Sequence, residues 1–175
     1  MLFGMCFAPD GGRVLTACRD GQASLWDWQS GRLVGSPGRH SFEICAVTFT
    51  TDGRRVLTAG KDPTLRLWDA ATGRLVQTFV GHGLEVLSAV FHPDGTRIAS
   101  GGHDRSIRVW DVATGDELVR LSGHSWYVFS MAFSPDVRTL VSGSGDSTVR
   151  LWDAVAVARR LRTRRASDSN EGRNR

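Results

Sequence analysis

A tryptophan followed by an aspartate recurs along the chain at one fixed interval. Successive copies are 42 residues apart, without any insertion, at Trp26, Trp68, Trp110 and Trp152. A fixed period of this length is typical of repeat proteins, in which each unit buries its apolar face against its neighbours. The sequence therefore predicts four copies of one structural unit. Three further series keep the same interval: Thr16, Thr58, Ser100 and Ser142; Asp20, Asp62, Asp104 and Asp146; and Phe7, Phe49, Phe91 and Phe133.

Within each unit, apolar and polar residues alternate in short runs, which is typical of β-strands rather than helices. Turn-forming pairs separate these runs. Because such pairs tolerate positive φ, they favour tight hairpins. We therefore predict an all-β chain in which each unit is four short antiparallel strands. The pairs are Asp-Gly at 10–11, 52–53 and 94–95, and Ser-Gly or Thr-Gly at 30–31, 72–73 and 114–115.

The fourth unit departs from this pattern at two points. Val137 stands where the other units have glycine, and because a β-branched residue tolerates positive φ badly, we expect that hairpin to differ. The Thr-Gly pair is missing after Trp152, so the sequence does not establish an outer strand there. The run AVAVA at 154–158 has the composition to extend along that edge.

The closing tripeptides, LWD in three units and VWD in the other, resemble those of the WD-repeat (G-beta-like) family. Gly81-His82 and Gly123-His124 match the Gly-His pair that precedes them in that family. The resemblance covers about residues 1–158 and implies the blades of a β-propeller. The four blades are predicted at about 1–38, 39–80, 81–122 and 123–158.

Propellers have about four to eight blades, and those of the resembled family lie near the upper end of that range. Four blades would form a small ring without a closing strand, an arc completed by dimerisation, or a fragment of a longer protein. We favour a fragment or C-terminal part of a larger protein of the bacterial signalling type, by analogy alone. Open ends would expose apolar blade faces, so self-association through them is an alternative.

Serine or threonine, histidine and aspartate recur in three sets with the same register. Any one set resembles the nucleophile, base and carboxylate of a hydrolase. Catalysis, however, needs one tuned site with a substrate cleft and an oxyanion hole, whereas repetition in successive units favours a structural role. We interpret the chain as non-catalytic, with a Ser-His-Asp hydrolase as the alternative. The sets are Thr58, His40 and Asp62; Ser100, His82 and Asp104; and Ser142, His124 and Asp146.

Burying these polar groups is costly unless each finds a partner, and a closed chain that ends on a tryptophan N–H satisfies them all. The resemblance implies such a network, since the same positions form one in the family. Arg39 replaces the glycine of the first Gly-His pair, so we expect a changed approach for His40. The predicted members are Thr16, Asp20 and Trp26; His40, Thr58, Asp62 and Trp68; His82, Ser100, Asp104 and Trp110; and His124, Ser142, Asp146 and Trp152.

The resemblance also implies a face on which partners bind. Aromatic and apolar residues flanked by charge suit a protein interface, so we predict a protein–protein interaction scaffold. Trp126 would extend this surface, whereas Leu87 and Phe129 packing into the core is an alternative of nearly equal weight. Register assigns to the face Arg19, Lys61, His103 and Gly145; Glu43, Glu85 and Tyr127; Cys45, Leu87 and Phe129; and Phe3 of the incomplete first repeat.

Positive charge is concentrated in the last 17 residues. Residues 159–175 hold seven arginines against Asp168 and Glu171, so this segment has a net charge of +5. The rest of the chain has a net charge of −1, which gives the chain's total of +4. The composition predicts a disordered tail. Binding of nucleic acid or an anionic surface by this tail is the less favoured function, because no aromatic residue is interleaved to stack on bases.

Nothing in the pattern indicates a metal, a cofactor or a membrane span. Cys6, Cys18 and Cys45 are odd in number and lack metal-ligand spacing, so we interpret them as small buried hydrophobes. No glycine-rich phosphate loop followed by lysine is present. No secretion signal or long apolar run appears either. We therefore expect a cytoplasmic protein that binds another protein of unknown identity.

Overall fold

A computed structural model describes residues 2–154, so the predicted tail at 159–175 lies outside the described residues. Fifteen β-strands form four sheets within that range. The first contains β1 (Leu2–Phe7), β2 (Arg13–Cys18), β3 (Gln22–Asp27) and β4 (Arg32–Arg39). The second contains β5 (Ile44–Phe49), β6 (Arg55–Gly60), β7 (Thr64–Asp69) and β8 (Leu75–Val80). The third contains β9 (Val86–Phe91), β10 (Arg97–Gly102), β11 (Ile107–Asp111) and β12 (Glu117–Leu121), and the fourth β13 (Val128–Phe133), β14 (Thr139–Ser144) and β15 (Val149–Asp153).

Each sheet is an antiparallel meander in which strands adjacent in the chain pair with one another. The predicted hairpin turns are confirmed: Gly53 and Gly95 have φ of 67° and 71°, and Gly73 and Gly115 have φ of 70° and 82°. The first three sheets have the four strands predicted for a unit. The fourth has three strands within residues 2–154, and the rest of the run AVAVA lies beyond that range.

The prediction that the hairpin at Val137 differs from the others is wrong. Val137 has a φ of 61°, and its N–H donates to the carbonyl of Ser134 at 2.9 Å. Gly95 makes the equivalent bond at 2.8 Å. Because β13 and β14 pair in the same register as the corresponding strands of other sheets, the turn between them is fixed in length and shape. The valine is therefore held in a left-handed conformation that is strained for a β-branched residue.

The sheets stack as successive blades, with the first strands β1, β5, β9 and β13 next to one another in that order. Apolar side chains fill each space between blades. Between the second and third blades, for example, Leu67 and Trp110 belong to one cluster and are both 0% exposed. Similar clusters lie between the first and second and between the third and fourth blades. The core is therefore divided among three interfaces between blades.

The two ends of this stack are uncovered apolar surfaces. At the C-terminal end, Val149 and Leu151 of β15 are 70% and 72% exposed. We call these two residues the C-terminal end face. The N-terminal end face comprises Met5 and Phe7 of β1, each 65% exposed, and Trp28, which is 51% exposed and contacts Phe7 edge-on. The described residues therefore form an arc whose end faces have no neighbouring blade.

The three cysteines are partly buried and unbonded to one another. Burial raises the pKa of the Cys6 thiol to about 11 against a hydrogen bond from Phe49. Burial also raises the pKa of the Cys45 thiol to about 11. Both thiols are therefore protonated and unreactive at neutral pH.

Within the described range, helices of the length and apolarity needed to cross a membrane are absent.

Candidate functional site

The third blade contains a buried chain of polar side chains. The imidazole of His82 has Nδ1 2.9 Å from Asp104 Oδ2 and Nε2 2.7 Å from Ser100 Oγ. The indole Nε1 of Trp110 donates to the same hydroxyl at 2.7 Å. A neutral histidine protonated at Nδ1 satisfies every group, because it donates to the carboxylate and accepts from the hydroxyl, which in turn accepts from the indole.

The second blade repeats this geometry around His40. Its Nδ1 lies 2.7 Å from Asp62 and its Nε2 lies 2.6 Å from Thr58, to which Trp68 donates at 2.9 Å. The prediction that Arg39 would change the approach of His40 is therefore wrong. Arg39 is exposed, and its guanidinium donates instead to the backbone carbonyl of Asp20 at 3.3 Å.

The fourth blade repeats it again, with His124 at 2.9 Å from Asp146 and 2.7 Å from Ser142. Trp152 donates to that serine at 2.9 Å. In the first blade, only the hydrogen bond from the tryptophan to the hydroxyl is present, and Trp26 donates to Thr16 at 2.9 Å. Asp20 is exposed there and accepts the backbone N–H of Gln22. The structure thus joins the predicted residues in three full sets and one partial set.

The position of each residue in its blade explains why the set closes. In the third blade the histidine precedes β9, the serine lies within β10, the aspartate lies in the turn to β11, and the tryptophan lies in β11. The hydrogen bonds therefore tie the segment entering the blade to the blade's second and third strands.

The aspartates remain ionised at neutral pH. Burial alone would raise the pKa of Asp104, but the hydrogen bonds from His82 and Ser106 outweigh it and hold that pKa well below its usual range. Asp62 has the same opposing causes and the same direction of shift, with Arg66 adding a salt bridge at 2.9 Å. The pKa of Asp146 is lowered first by the hydroxyl of Thr148.

The hydroxyl residues of the three sets are inaccessible. Thr58, Ser100 and Ser142 are each 0% exposed, and each hydroxyl accepts an indole N–H. A catalytic nucleophile must meet its substrate. This burial disfavours the hydrolase alternative and agrees with a role in holding the blade together.

The residues assigned to the partner-binding face gather at one end of the blades. Arg19, Lys61 and His103 lie in the turns between the second and third strands, and Glu43, Glu85 and Tyr127 directly precede first strands. Backbone hydrogen bonds fix the two groups against each other. They run from Lys61 N–H to Glu43 at 2.9 Å, from His103 N–H to Glu85 at 2.9 Å, and from Gly145 N–H to Tyr127 at 3.0 Å.

Charged pairs form one half of this face. Glu43 receives Lys61 Nζ at 2.6 Å from its own blade and Arg19 Nε at 2.8 Å from the first blade. The hydrogen bond with Lys61 lowers the pKa of Glu43 and raises the pKa of Lys61. These three side chains line a shallow cleft together with Phe42. The cleft therefore spans the boundary between the first two blades.

Stacked rings form the other half, which we call the aromatic patch: His103, Arg105, Trp126, Tyr127 and Phe129. The rings of His103 and Tyr127 stack with centroids 4.0 Å apart, and Trp126 stacks with Tyr127 at 4.8 Å. Phe129 meets Tyr127 edge-on at 6.3 Å. The guanidinium of Arg105 lies 5.7 Å from the Trp126 ring centroid, within the range of a cation–π contact.

Close packing holds the aromatic patch in place. A Cβ at Gly145 would lie 2.4 Å from Cδ1 of Trp126 and 3.0 Å from the Phe129 ring, so only glycine leaves room for these rings. Phe129 is still 54% exposed. Leu87 and Cys45 are half-buried in β9 and β5, and the Phe3 side chain lies outside the described residues.

Two exposed apolar residues of this face, Phe42 and Leu84, were not predicted from the sequence, whereas Trp126 was. Phe42 and Leu84 are 62% and 52% exposed, and Trp126 is 45% exposed. All three stand two residues after a repeat histidine and are 42 residues apart. We call them the apolar row. The signal was present in the sequence, because one interval places a large apolar residue beside the face in three successive units.

Comparison with protein families decides the identity of the repeats. The family model described as WD domain, G-beta repeat matches residues 2–27, 31–69, 73–111 and 115–153. The chain belongs to the WD-repeat family. This confirms the resemblance and, with the four antiparallel sheets, confirms the all-β fold of a partial β-propeller. No curated protein matches the chain.

The WD repeats are staggered relative to the blades. The match at 31–69 contains β4, the outer strand of the first blade, followed by β5, β6 and β7 of the second. Each later repeat likewise links two blades. WD-repeat domains generally mediate protein–protein interaction and are typically non-catalytic scaffolds.

Proposed function

We propose that this WD-repeat chain is a non-catalytic scaffold that binds another protein through the face carrying the apolar row and the aromatic patch. The observation that carries the proposal is the apolar row itself, Phe42, Leu84 and Trp126, because all three large side chains are at least 45% exposed. Phe42 adjoins the charged cleft and Trp126 adjoins the other rings of the aromatic patch, and exposed apolar surface rimmed by polar groups marks interaction sites.

The aromatic patch has the composition of an interface hot spot. Tryptophan, tyrosine and arginine contribute most to binding when they are desolvated at the centre of an interface. Here Tyr127 lies between His103 and Trp126, so the rings are ordered before any partner arrives. Ordering in advance lowers the entropic cost of association.

The charged half of the face supports selectivity more than affinity. Glu43 is already paired with Arg19 and Lys61, and Glu85 lies 2.9 Å from His103. Paired charges at a rim chiefly steer encounter and disfavour wrong partners. The partner we propose is a protein that presents apolar side chains to the row and polar groups to this rim.

Burial of the Ser100 and Ser142 hydroxyls supports the non-catalytic part of the proposal. Membership of a larger signalling-type protein and a cytoplasmic location stay predictions. So does nucleic-acid binding by residues 159–175, which would appear as steeply salt-dependent DNA binding that is lost on deleting the tail.

Partner capture tests the proposal. Full-length chain is used as bait in lysate, the retained protein is identified, and its purified form is titrated against variants with unchanged circular dichroism. We expect Phe42→Ala combined with Trp126→Ala to weaken binding at least tenfold. Val80→Ala is the matched control, because Val80 is 72% exposed on β8 and belongs to neither surface.

A second variant tests whether Phe129 belongs to the interface. Tyr127→Ala combined with Phe129→Ala should weaken the same binding if the ring of Phe129 contacts the partner rather than merely packing. Undiminished affinity in both folded double variants would reject this face as the binding surface.

A further inference from the structure

We propose that the two end faces of this chain bind each other between copies, with the C-terminal end face of one copy covering the N-terminal end face of a second. Two copies joined in this way at both ends close into one ring. The occupant of each end face is therefore a second copy of the same chain. This interface is separate from the partner-binding face.

The fold builds the same interface between neighbouring blades. One blade contributes residues of its second and third strands, and the next contributes its first strand and its tryptophan. Between the second and third blades, Leu65 and Leu67 lie in one cluster with Val86, Ala89 and Trp110. Between the third and fourth, Ile107 lies with Val128 and Met131.

The C-terminal end face is the first half of this interface, and within residues 2–154 no blade supplies its second half. Val149 and Leu151 occupy the positions of Ile107 and Val109, one repeat interval later. Ile107 and Val109 are 1% and 6% exposed because the fourth blade covers them, whereas Val149 and Leu151 are 70% and 72% exposed. The same surface is thus buried from solvent inside the arc and exposed to solvent at its end.

The N-terminal end face is the missing second half. Met5 stands three repeat intervals before Met131, which is 6% exposed against the third blade, and Phe7 stands one interval before Phe49, which is 7% exposed. Phe7 itself is 65% exposed. The open ends of the arc are therefore complementary halves of an interface that the fold already makes between its own blades.

Opposite faces, rather than like faces, are expected to meet. Within the described arc, each interface joins opposite blade faces: second- and third-strand residues of one blade, such as Ala59 and Leu67, meet first-strand residues and the tryptophan of the next. Such a heterologous contact forms either a closed ring or an open filament. Two four-bladed arcs together reach the upper end of the roughly four to eight blades known for propellers, so a two-copy ring can close.

Sedimentation equilibrium of the full 175-residue chain tests this pairing over a wide concentration range. We expect a reversible two-copy mass for the unaltered chain. Leu151→Asp and Phe7→Asp should each halve that mass, because each places a charge in one end face. Val80→Asp, at an equally exposed apolar residue outside both faces, should behave as the unaltered chain does.

Mixing the two end-face variants distinguishes opposite-face pairing from like-face pairing. Each variant retains one intact face, and these two intact faces are complementary, so an equal mixture should regain a one-to-one complex. Circular dichroism confirms folding, and Val149→Asp replaces Leu151→Asp if the latter does not fold.

Three results would overturn the inference. One is a single-copy mass for the unaltered chain at all concentrations. Another is a two-copy mass that persists in either end-face variant alone, since this would require like faces to pair. The third is open-ended growth, which would contradict a closed ring. If Leu151→Asp only lowered stability in a single-copy chain, the C-terminal end face would be covered from within the chain.

Discussion

The indole N–H of Trp110 donates to the hydroxyl of Ser100 at 2.7 Å, and both residues are 0% exposed. The same hydroxyl lies 2.7 Å from Nε2 of His82. One small side chain thus satisfies two larger buried ones. Because an unsatisfied buried polar group is costly, the stability of the blade depends on this serine more than its size suggests.

Ser100→Ala is expected to reduce the free energy of unfolding by about 1–3 kcal/mol, because it removes the partner of the Trp110 N–H and of His82 Nε2. Denaturant titration of the two proteins measures the difference. Thr16→Ala is the matched control with a smaller expected loss. The hydroxyl of Thr16 accepts from Trp26 and donates to the backbone carbonyl of Ser24 at 3.3 Å, and the first repeat has no histidine to leave unpaired. A hydrolytic activity abolished by Ser100→Ala at unchanged stability would contradict the structural role.

Acidification is expected to destabilise the folded chain through its buried aspartates. The pKa of Asp104 in the folded state lies below the ordinary value of 3.8, so the unfolded chain binds protons first as pH falls. This contribution to stability is complete above about pH 5 and is lost progressively below it. Urea titrations from pH 7 to pH 3 measure the slope.

Asp104→Asn is the control for that slope. It removes one titrating carboxylate, so the difference in stability between the variant and the unaltered chain should narrow as pH falls. Parallel curves across the whole range would exclude Asp104 as a source of the pH dependence.

Val137→Gly is expected to raise the free energy of unfolding by about 1 kcal/mol, because it relieves a strained positive φ. The gain is measured by thermal and denaturant unfolding. Gly95→Val is the reverse control and should destabilise. A Cβ at Gly95 would meet nothing within 4 Å, so its cost is due to the backbone conformation and not to crowding. Equal stability of both variants with the unaltered chain would show that the turn relaxes.

Gly145→Ala is expected to displace the Trp126 ring and weaken partner binding, with a stability change within about 1 kcal/mol at this surface site. The new Cβ would lie 2.4 Å from Cδ1 of Trp126. Tryptophan fluorescence and partner titration measure the two effects. Gly143→Ala is the control, because a Cβ there meets nothing within 4 Å. An unchanged spectrum and affinity would mean that Trp126 has other room to move.

Most of the fold was predicted correctly from local features of the sequence. The 42-residue interval and the turn pairs are properties of nearby residues, so they predicted the strands and the hairpins directly. Val137 was judged on its own conformational preference, which the fixed register of β13 and β14 overrides. A preference worth about 1–3 kcal/mol is readily overcome by a paired hairpin.

Other features depend on neighbours that the sequence does not display. Leu67 and Leu151 are the same residue at equivalent positions, yet they are 0% and 72% exposed, because only the first has a blade packed against it. The stacking of His103 on Tyr127 likewise joins two blades, so the resemblance placed both residues on one face without predicting their contact. Phe42 and Leu84 were overlooked although they kept the interval.

Uniform spacing between blades has a consequence for how such a chain changes in length. Ile44, Val86 and Val128 fill the same place in successive interfaces, each 0% exposed. Removing the segment between equivalent points, such as Trp68 and Trp110, would join two blades whose contact surfaces already match. A gene of this kind can therefore gain or lose one blade by unequal recombination between its own repeats, because the one new junction would have the same form as the existing ones.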